Sequence, residues 1–202
     1  MKLFKRLALI CPAFGASLLL SAFTADHAQA AITITGQQVG TDFIFSYTGS
    51  IDLSGTALFS AGLTFPSSFI ANPADGGIYN FIGTGSFSAY LDTFVNQPSS
   101  FGTNTLQVDA DSATGSTFLI QGAGFPDAFG VPDGYVSGDP ISGSATYNNA
   151  TAASLGLTPG TYVWELSNGD TITQTIVPEP LTLLGASAAV AFGAAFKRRK
   201  AQ

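Results

Sequence analysis

Between residues 31 and 176, runs rich in Ile, Val, Phe, Tyr and Thr alternate with clusters of Gly, Pro, Ser, Asn and Asp, and no long helical period interrupts them. β-Branched and aromatic side chains suit a pleated, half-buried surface, whereas the small and polar residues supply positive φ or side-chain-to-backbone hydrogen bonds in turns. The pattern predicts strands near 32–39, 42–53, 57–65, 78–91, 105–110, 116–121, 141–148, 160–166 and 171–176. Gly49, Gly83 and Gly85 mark bulges or turns inside the two longest runs. Many short strands separated by turns imply a single all-β domain, an antiparallel β-sandwich or jelly roll. No fixed-period repeat is visible, which argues against a β-solenoid. The stretch FPDAFGVPDGYVSGDP, residues 125–140, carries three Asp-bearing turns in succession and reads as a loop excursion.

The last two runs, YVWELSNGDTITQTI, read as a hairpin around Asn168-Gly169. A two-residue loop would set Trp164 opposite Thr173 and Glu165 opposite Ile172, mixing polar and apolar partners on each face. A three-residue loop with Gly169 left-handed sets Trp164 opposite Ile172 and Glu165 opposite Thr171. A one-residue slip moves every side chain to the wrong face, so burial selects the second register. Trp164 is then core and Glu165 a solvated acid.

What this stretch lacks narrows its chemistry. Every Lys and Arg of the chain lies at residues 2, 5, 6 or 197–200, and the one His, Cys and Met are His27, Cys11 and Met1. Of the thirteen acidic residues, Asp26 and Glu179 also lie outside, which leaves ten Asp and Glu165, a formal charge of −11. Without His or Cys there is no Ser-His-Asp or Cys-His nucleophile system, no imidazole or thiolate zinc site and no disulfide. Without Lys or Arg there is no phosphate clamp and no basic footprint for nucleic acid. A pair of acids hydrolysing a glycosidic bond remains. Most of the aspartates, however, stand beside Gly, Pro or Ser, as turn formers do, so no catalytic residue is assigned.

Two binding chemistries stay open. Asp109 and Asp111 resemble half a calcium loop, and Asp127, Asp133 and Asp139 are spaced through residues 125–140; hard carboxylate oxygens suit Ca²⁺. Ala113 and Thr114 stand where an EF-hand loop needs an oxygen ligand and a glycine, so the motif is incomplete. Tyr47, Tyr79, Tyr90, Tyr135, Tyr147, Tyr162 and Trp164 offer rings to stack on sugars, against the usual role of such residues in core and cross-strand packing.

The ends of the chain carry an address. Residues 1–30 show Lys2, Lys5 and Arg6, an apolar run over 7–23 and Ala28-Gln29-Ala30, the layout of a secretory signal peptide cleaved after Ala30. Residues 177–202 contain Pro178-Glu179-Pro180, an uncharged stretch over 181–196 and the cluster Lys197, Arg198, Arg199 and Lys200. That stretch sits at the lower length limit of a membrane-spanning helix, has no polar face, and is closed by a stop-transfer cluster that stays in the cytoplasm. Pro178-Glu179-Pro180, the apolar helix and the terminal basic cluster together resemble the PEP-CTERM sorting signal of bacteria that make exopolysaccharide. The resemblance implies recognition by exosortase, an integral-membrane cysteine protease, and removal of the tail near the Pro-Glu-Pro. It covers about the last 25 residues and carries no site in 31–176.

The expectation is an exported β-sandwich, anchored for a time in the inner membrane by its C-terminal helix. It is then delivered to the cell envelope or an exopolysaccharide matrix as a structural or adhesive component. A carbohydrate-binding module, with aromatic rings in a strip on one sheet face, and a small glycoside-active enzyme, with two carboxylates across a cleft, are the alternatives.

Overall fold

The computed structural model describes residues 30–72, 77–91 and 94–179. The residues before Ala30 that read as a signal peptide, Pro180, the apolar stretch 181–196 and the basic cluster 197–200 lie outside the described residues. Two sheets make up the fold. One holds six strands in the order β12 (Gly160–Glu165), β13 (Thr171–Ile176), β1 (Ala31–Val39), β2 (Asp42–Gly49), β11 (Ile141–Tyr147) and β8 (Ser112–Gly115). The other holds seven: β3 (Ala57–Leu63), β6 (Phe87–Leu91), β10 (Ala128–Pro132), β9 (Phe118–Gly122), β5 (Ile78–Ile82), β4 (Ser68–Ile70) and β7 (Val108–Asp109). The all-β expectation is met, in the layered arrangement of a β-sandwich.

Alternation along each strand builds the layer between the sheets. Ile32 and Ile34 of β1, Phe43, Phe45 and Tyr47 of β2, and Ile172 and Ile176 of β13 are buried from one side. Phe69, Ile78, Ile82, Phe118, Ile120, Phe129 and Val131 are buried from the other. The rings meet across the gap: Phe45 lies 5.8 Å from Phe69 and Tyr47 lies 5.3 Å from Phe118. Each such side chain contributes roughly 1.5–3 kcal/mol by leaving water. One polar contact joins the sheets through this layer, the Asn80 Nδ2 donating to Gln174 Oε1 at 2.7 Å.

Strand pairing is antiparallel throughout the described ladders except between β1 and β13, which run parallel with Ala31 beside Thr171 and Gly36 beside Ile176. The chain therefore enters the sheet at one pole and leaves it at the other, about 20 Å away at ~3.3 Å per residue. The final hairpin has the register that burial selects, Trp164 opposite Ile172 and Glu165 opposite Thr171. Leu166 N donates to Asp170 O and Gly169 N to Leu166 O, which closes a three-residue loop, and Gly169 sits at φ +92°. Trp164 is 1% exposed.

The sequence-based strands differ from the observed ones in places. The run 42–53 ends as a strand at Gly49, and 78–91 is two strands, β5 and β6, parted by the glycine-bearing turn already suspected. The run 105–110 shortens to Val108–Asp109, while β4, β8 and β10 were not anticipated. The stretch 125–140 is not wholly a loop. Its residues Ala128–Pro132 form β10, hydrogen-bonded to β6 on one side and β9 on the other. The long connection from β6 to β7 also enters the core: Phe101 is buried, with its ring 6.5 Å from Trp164. The same connection covers the free edge of β12 through Val95 N to Glu165 O and Glu165 N to Asn96 O, both 2.9 Å.

Candidate functional site

Pairing register decides what faces outward from the seven-stranded sheet. Ser68 stands opposite Phe81, and Phe81 opposite Leu119; one row along, Tyr79 stands opposite Gln121. Because neighbours across a ladder share a face, these five project together on the side away from the main core. Phe81, Phe87, Ala89 and Leu119 form a second apolar cluster there. Gly130 on β10 makes room for it: a Cβ at that position would come within 2.7 Å of Phe87 Cδ2.

Two loop phenylalanines wall this face. Phe65 packs 6.1 Å from Phe81 and 5.8 Å from Phe87, yet stays 56% exposed; Phe125 lies 6.2 Å from Tyr79. Each precedes a proline, Pro66 or Pro126, and a residue before proline is held extended, which lets its side chain project. Between the walls lies a cleft of about 360 Å³, lined also by Pro66, Ser68, Tyr79, Leu119, Gln107 and Gln121. That volume falls in the range of small-molecule sites, which run roughly 300–1,000 Å³. Burial pushes the Tyr79 phenol above its ordinary value, so it is a neutral hydroxyl at physiological pH; Ser68 Oγ donates to it at 3.4 Å. Gln107 Nε2 donates to Asp109 Oδ1 at 2.5 Å and Gln121 Nε2 to Pro126 O at 3.1 Å, so the amides are held by the rim. Among the described residues, no carboxylate lines the cleft. Aromatic walls with neutral amide and hydroxyl groups can stack and hydrogen-bond an uncharged ligand that presents an apolar face.

Of the seven rings singled out for stacking, Tyr79 alone lines this cleft. Tyr47, Tyr147 and Trp164 are buried, and Tyr90 stacks on Phe129 at 5.7 Å and 13°. The Tyr162 hydroxyl donates to Thr158 O at 2.7 Å, and the Tyr135 hydroxyl receives the Ile51 N–H at 2.9 Å. Alternation identified the ring-bearing strands but not their outer partners. The Phe-Pro steps, large apolar residues inside turn-rich sequence, were the available signal.

The five aspartates weighed for calcium are spread over the molecule. Asp127 precedes β10 and Asp133 follows it, about 20 Å apart along the strand at ~3.3 Å per residue. Asp127 accepts from Gln97 Nε2 at 3.0 Å and from Phe94 N at 3.3 Å. Asp133 accepts from Ser88 Oγ at 2.6 Å and Gly62 N at 3.2 Å, and these hydrogen bonds hold its carboxyl below the usual range. Asp111 Oδ2 receives Asn148 N at 2.7 Å, and Asp139 offers its carbonyl to the Tyr135 hydroxyl at 2.9 Å. Among the described residues, no three of His, Cys, Asp and Glu gather where they could hold a metal ion.

Of the address residues, Ala30 is described beside β1, and Val177, Pro178 and Glu179 follow β13 directly. Val177 N donates to Gly36 O at 2.8 Å, so the sheet continues to the edge of the Pro-Glu-Pro. In comparisons with known proteins, no family model matches the chain, nor does any curated protein or solved structure.

Proposed function

We propose that this chain is an exported, exosortase-sorted protein whose β domain, of sandwich or jelly-roll type, serves as a structural or adhesive component of the cell envelope or exopolysaccharide matrix. The observation that carries this reading is the terminal arrangement of Pro178-Glu179-Pro180, apolar stretch and Lys197–Lys200 cluster behind a signal peptide. It is supported by the position of the tripeptide, which begins two residues after β13 and leaves almost no linker between the domain and the membrane. The charge of the domain sets its manner of adhesion. A domain with eleven acids and no basic side chain repels an acidic polymer unless divalent cations bridge the two, and calcium is the suitable hard ion.

A second reading, a carbohydrate-binding module, is favoured by the outer cleft, where Tyr79 and Phe125 face an uncharged space rimmed by Gln107 and Gln121. The test purifies the exported chain from its producer and measures its mass and its retention on that cell's own polysaccharide, with calcium and with chelator. A chain ending near Glu179 and retained only with calcium supports the matrix reading. Retention without calcium that is lost in Tyr79→Ala supports the module. A chain that still carries Lys200 in wild-type cells overturns exosortase sorting.

A further inference from the structure

Asp170 is a carboxylate in an unusual position for this composition. It is 3% exposed, in a domain with no Lys, Arg or His to neutralise it. Its oxygens are held by neutral donors: Oδ1 by Ala30 N at 3.0 Å and Oδ2 by Asp52 N at 2.7 Å, with the Asn168 side-chain amide beside them. Those two bonds tie the entry of β1 and the exit of β2 to the final hairpin loop. Among the described residues, the titratable groups around it add no positive charge. Asp52 is a second acid, and Tyr135 stands close by with its hydroxyl engaged by Ile51 and Asp139. A buried carboxylate without a cationic partner is costly, and a like charge nearby raises the cost.

A domain without basic side chains can acquire one cation, its own α-amino group. The chain enters β1 at Ala30, whose N–H is already the donor to Asp170. Cleavage after Ala30 moves the terminus one residue along, about 3.8 Å between Cα atoms, and replaces an amide N–H by an ammonium free to rotate. We infer that Asp170 is the receptor for the amino terminus of the processed protein: export cleavage creates the ammonium on Ala31 that pairs with this carboxylate and locks β1, β2 and the last hairpin together. The inference rests on the signal-peptide reading of residues 1–30. It goes beyond that reading in making cleavage a step that completes the fold. Among the described residues, the Asp170 charge is met only by neutral amide donors.

The exported chain supplies the test, in a background of Lys197→Arg and Lys200→Arg so that no lysine remains between Ala31 and the C-terminus. Mass spectrometry first reads the starting residue. The α-amine is then acetylated with an amine-selective reagent across a pH series, and the product is melted beside the unmodified protein. An α-amine titrating about one unit or more above its usual value of roughly 7.7–8.0 is expected. Acetylation should lower the melting temperature by roughly 3–8 °C in the Asp170-bearing protein. In Asp170→Asn, which keeps an acceptor oxygen but no charge, acetylation should shift it by under about 1 °C. A chain that starts at Ala31 but shows an ordinary α-amine titration, or the same acetylation effect in both proteins, overturns the ion pair and leaves the cleavage reading standing. A chain that starts elsewhere overturns both. The titration itself needs no variant, so a poorly folding Asp170→Asn leaves the outcome decidable.

Discussion

The strand β13 and the strand β10 are near-equals in length and both sit inside a sheet, yet their sequences look nothing alike. In β13, TITQTI, buried and half-buried positions alternate along the whole strand. In β10, AFGVP, the first four residues are all buried. The difference lies in what covers each face. The outer face of β13 carries threonines and only the inner face meets the core, so its residues alternate. β10 has Phe129 and Val131 in the main core, while Gly130 on its outer face lies under the Phe87 ring. A strand covered on both sides has no solvated face to leave an alternating trace, and it reads as a short apolar run.

Truncation separates the two most sharply. Phe129→Ala should cost about 3–5 kcal/mol, since it empties a ring-sized volume from a layer with no room to collapse. Thr173→Ala, on the half-buried outer face of β13, should cost under about 1 kcal/mol. Urea unfolding midpoints measure both. A loss below about 1 kcal/mol for Phe129→Ala would mean that β10 is the loop excursion its turn residues suggest.

This contrast also marks how far the residues speak for themselves. Hairpin register was legible because Asn168-Gly169 limits the loop and one slip would bury Glu165 while exposing Trp164. β10 was not, because Pro126-Asp127 and Pro132-Asp133 bracket four residues with turn chemistry and the strand between them has no period. The outer cleft was illegible for a related reason. Tyr79 and Phe81 sit on the outer face of a strand whose inner face carries Ile78 and Ile82 on either side of Asn80, so both faces hold large apolar residues, and their partners Leu119 and Gln121 are set by pairing between segments some 40 residues apart. Phe101 is the extreme case, a buried plug in a connection with no strand signal at all.

A second experiment probes where β13 departs from its own pattern. Gln174 is a fully buried polar residue on its inner face, bonded to Asn80 of the opposite sheet, and the Asn80 Oδ1 and Gln174 Nε2 have no partner of their own. Gln174→Leu alone should cost about 1–3 kcal/mol, because Asn80 is left buried and unsatisfied. Adding Asn80→Leu should recover most of it, since replacing both partners of a buried pair is close to neutral. A double variant as unstable as the sum of the singles would show that the amides act independently.

The glycines of the two regions differ in kind, with smaller effects. Gly169 is needed for its φ of +92°, and Gly130 for the space that Phe87 fills. Gly169→Ala should cost about 1–2 kcal/mol, and Gly169→Asn less, because Asn tolerates the left-handed region. At Gly130, Asn should be worse than Ala, because it adds volume and a polar group under a ring. The order of Ala and Asn therefore reverses between the two sites; thermal melts of the four variants check it.

The smallest effect lies in pH, where one acid from each region moves stability in opposite directions. Asp133, at the end of β10, has its carboxyl held below the usual range, first by the Ser88 hydroxyl. Its contribution is present above the unfolded value of about 4 and is lost as pH falls through the lower folded value. Being exposed, it is weakened further by salt. Asp170, in the last hairpin loop, is pushed up by burial. With Ala30 in place, the contribution of Asp170 is fully present below about pH 4 and is lost as pH rises through the raised folded value. Melting temperature followed from about pH 2.5 to 6 should therefore lose part of its acid-side fall in Asp133→Asn, whereas Asp170→Asn should remove a decline on the rising side. The proposed cleavage after Ala30 would sharpen this further. If the Ala31 ammonium takes up the Asp170 charge, the processed chain loses that decline without any mutation, while the Asp133 limb stays as it was.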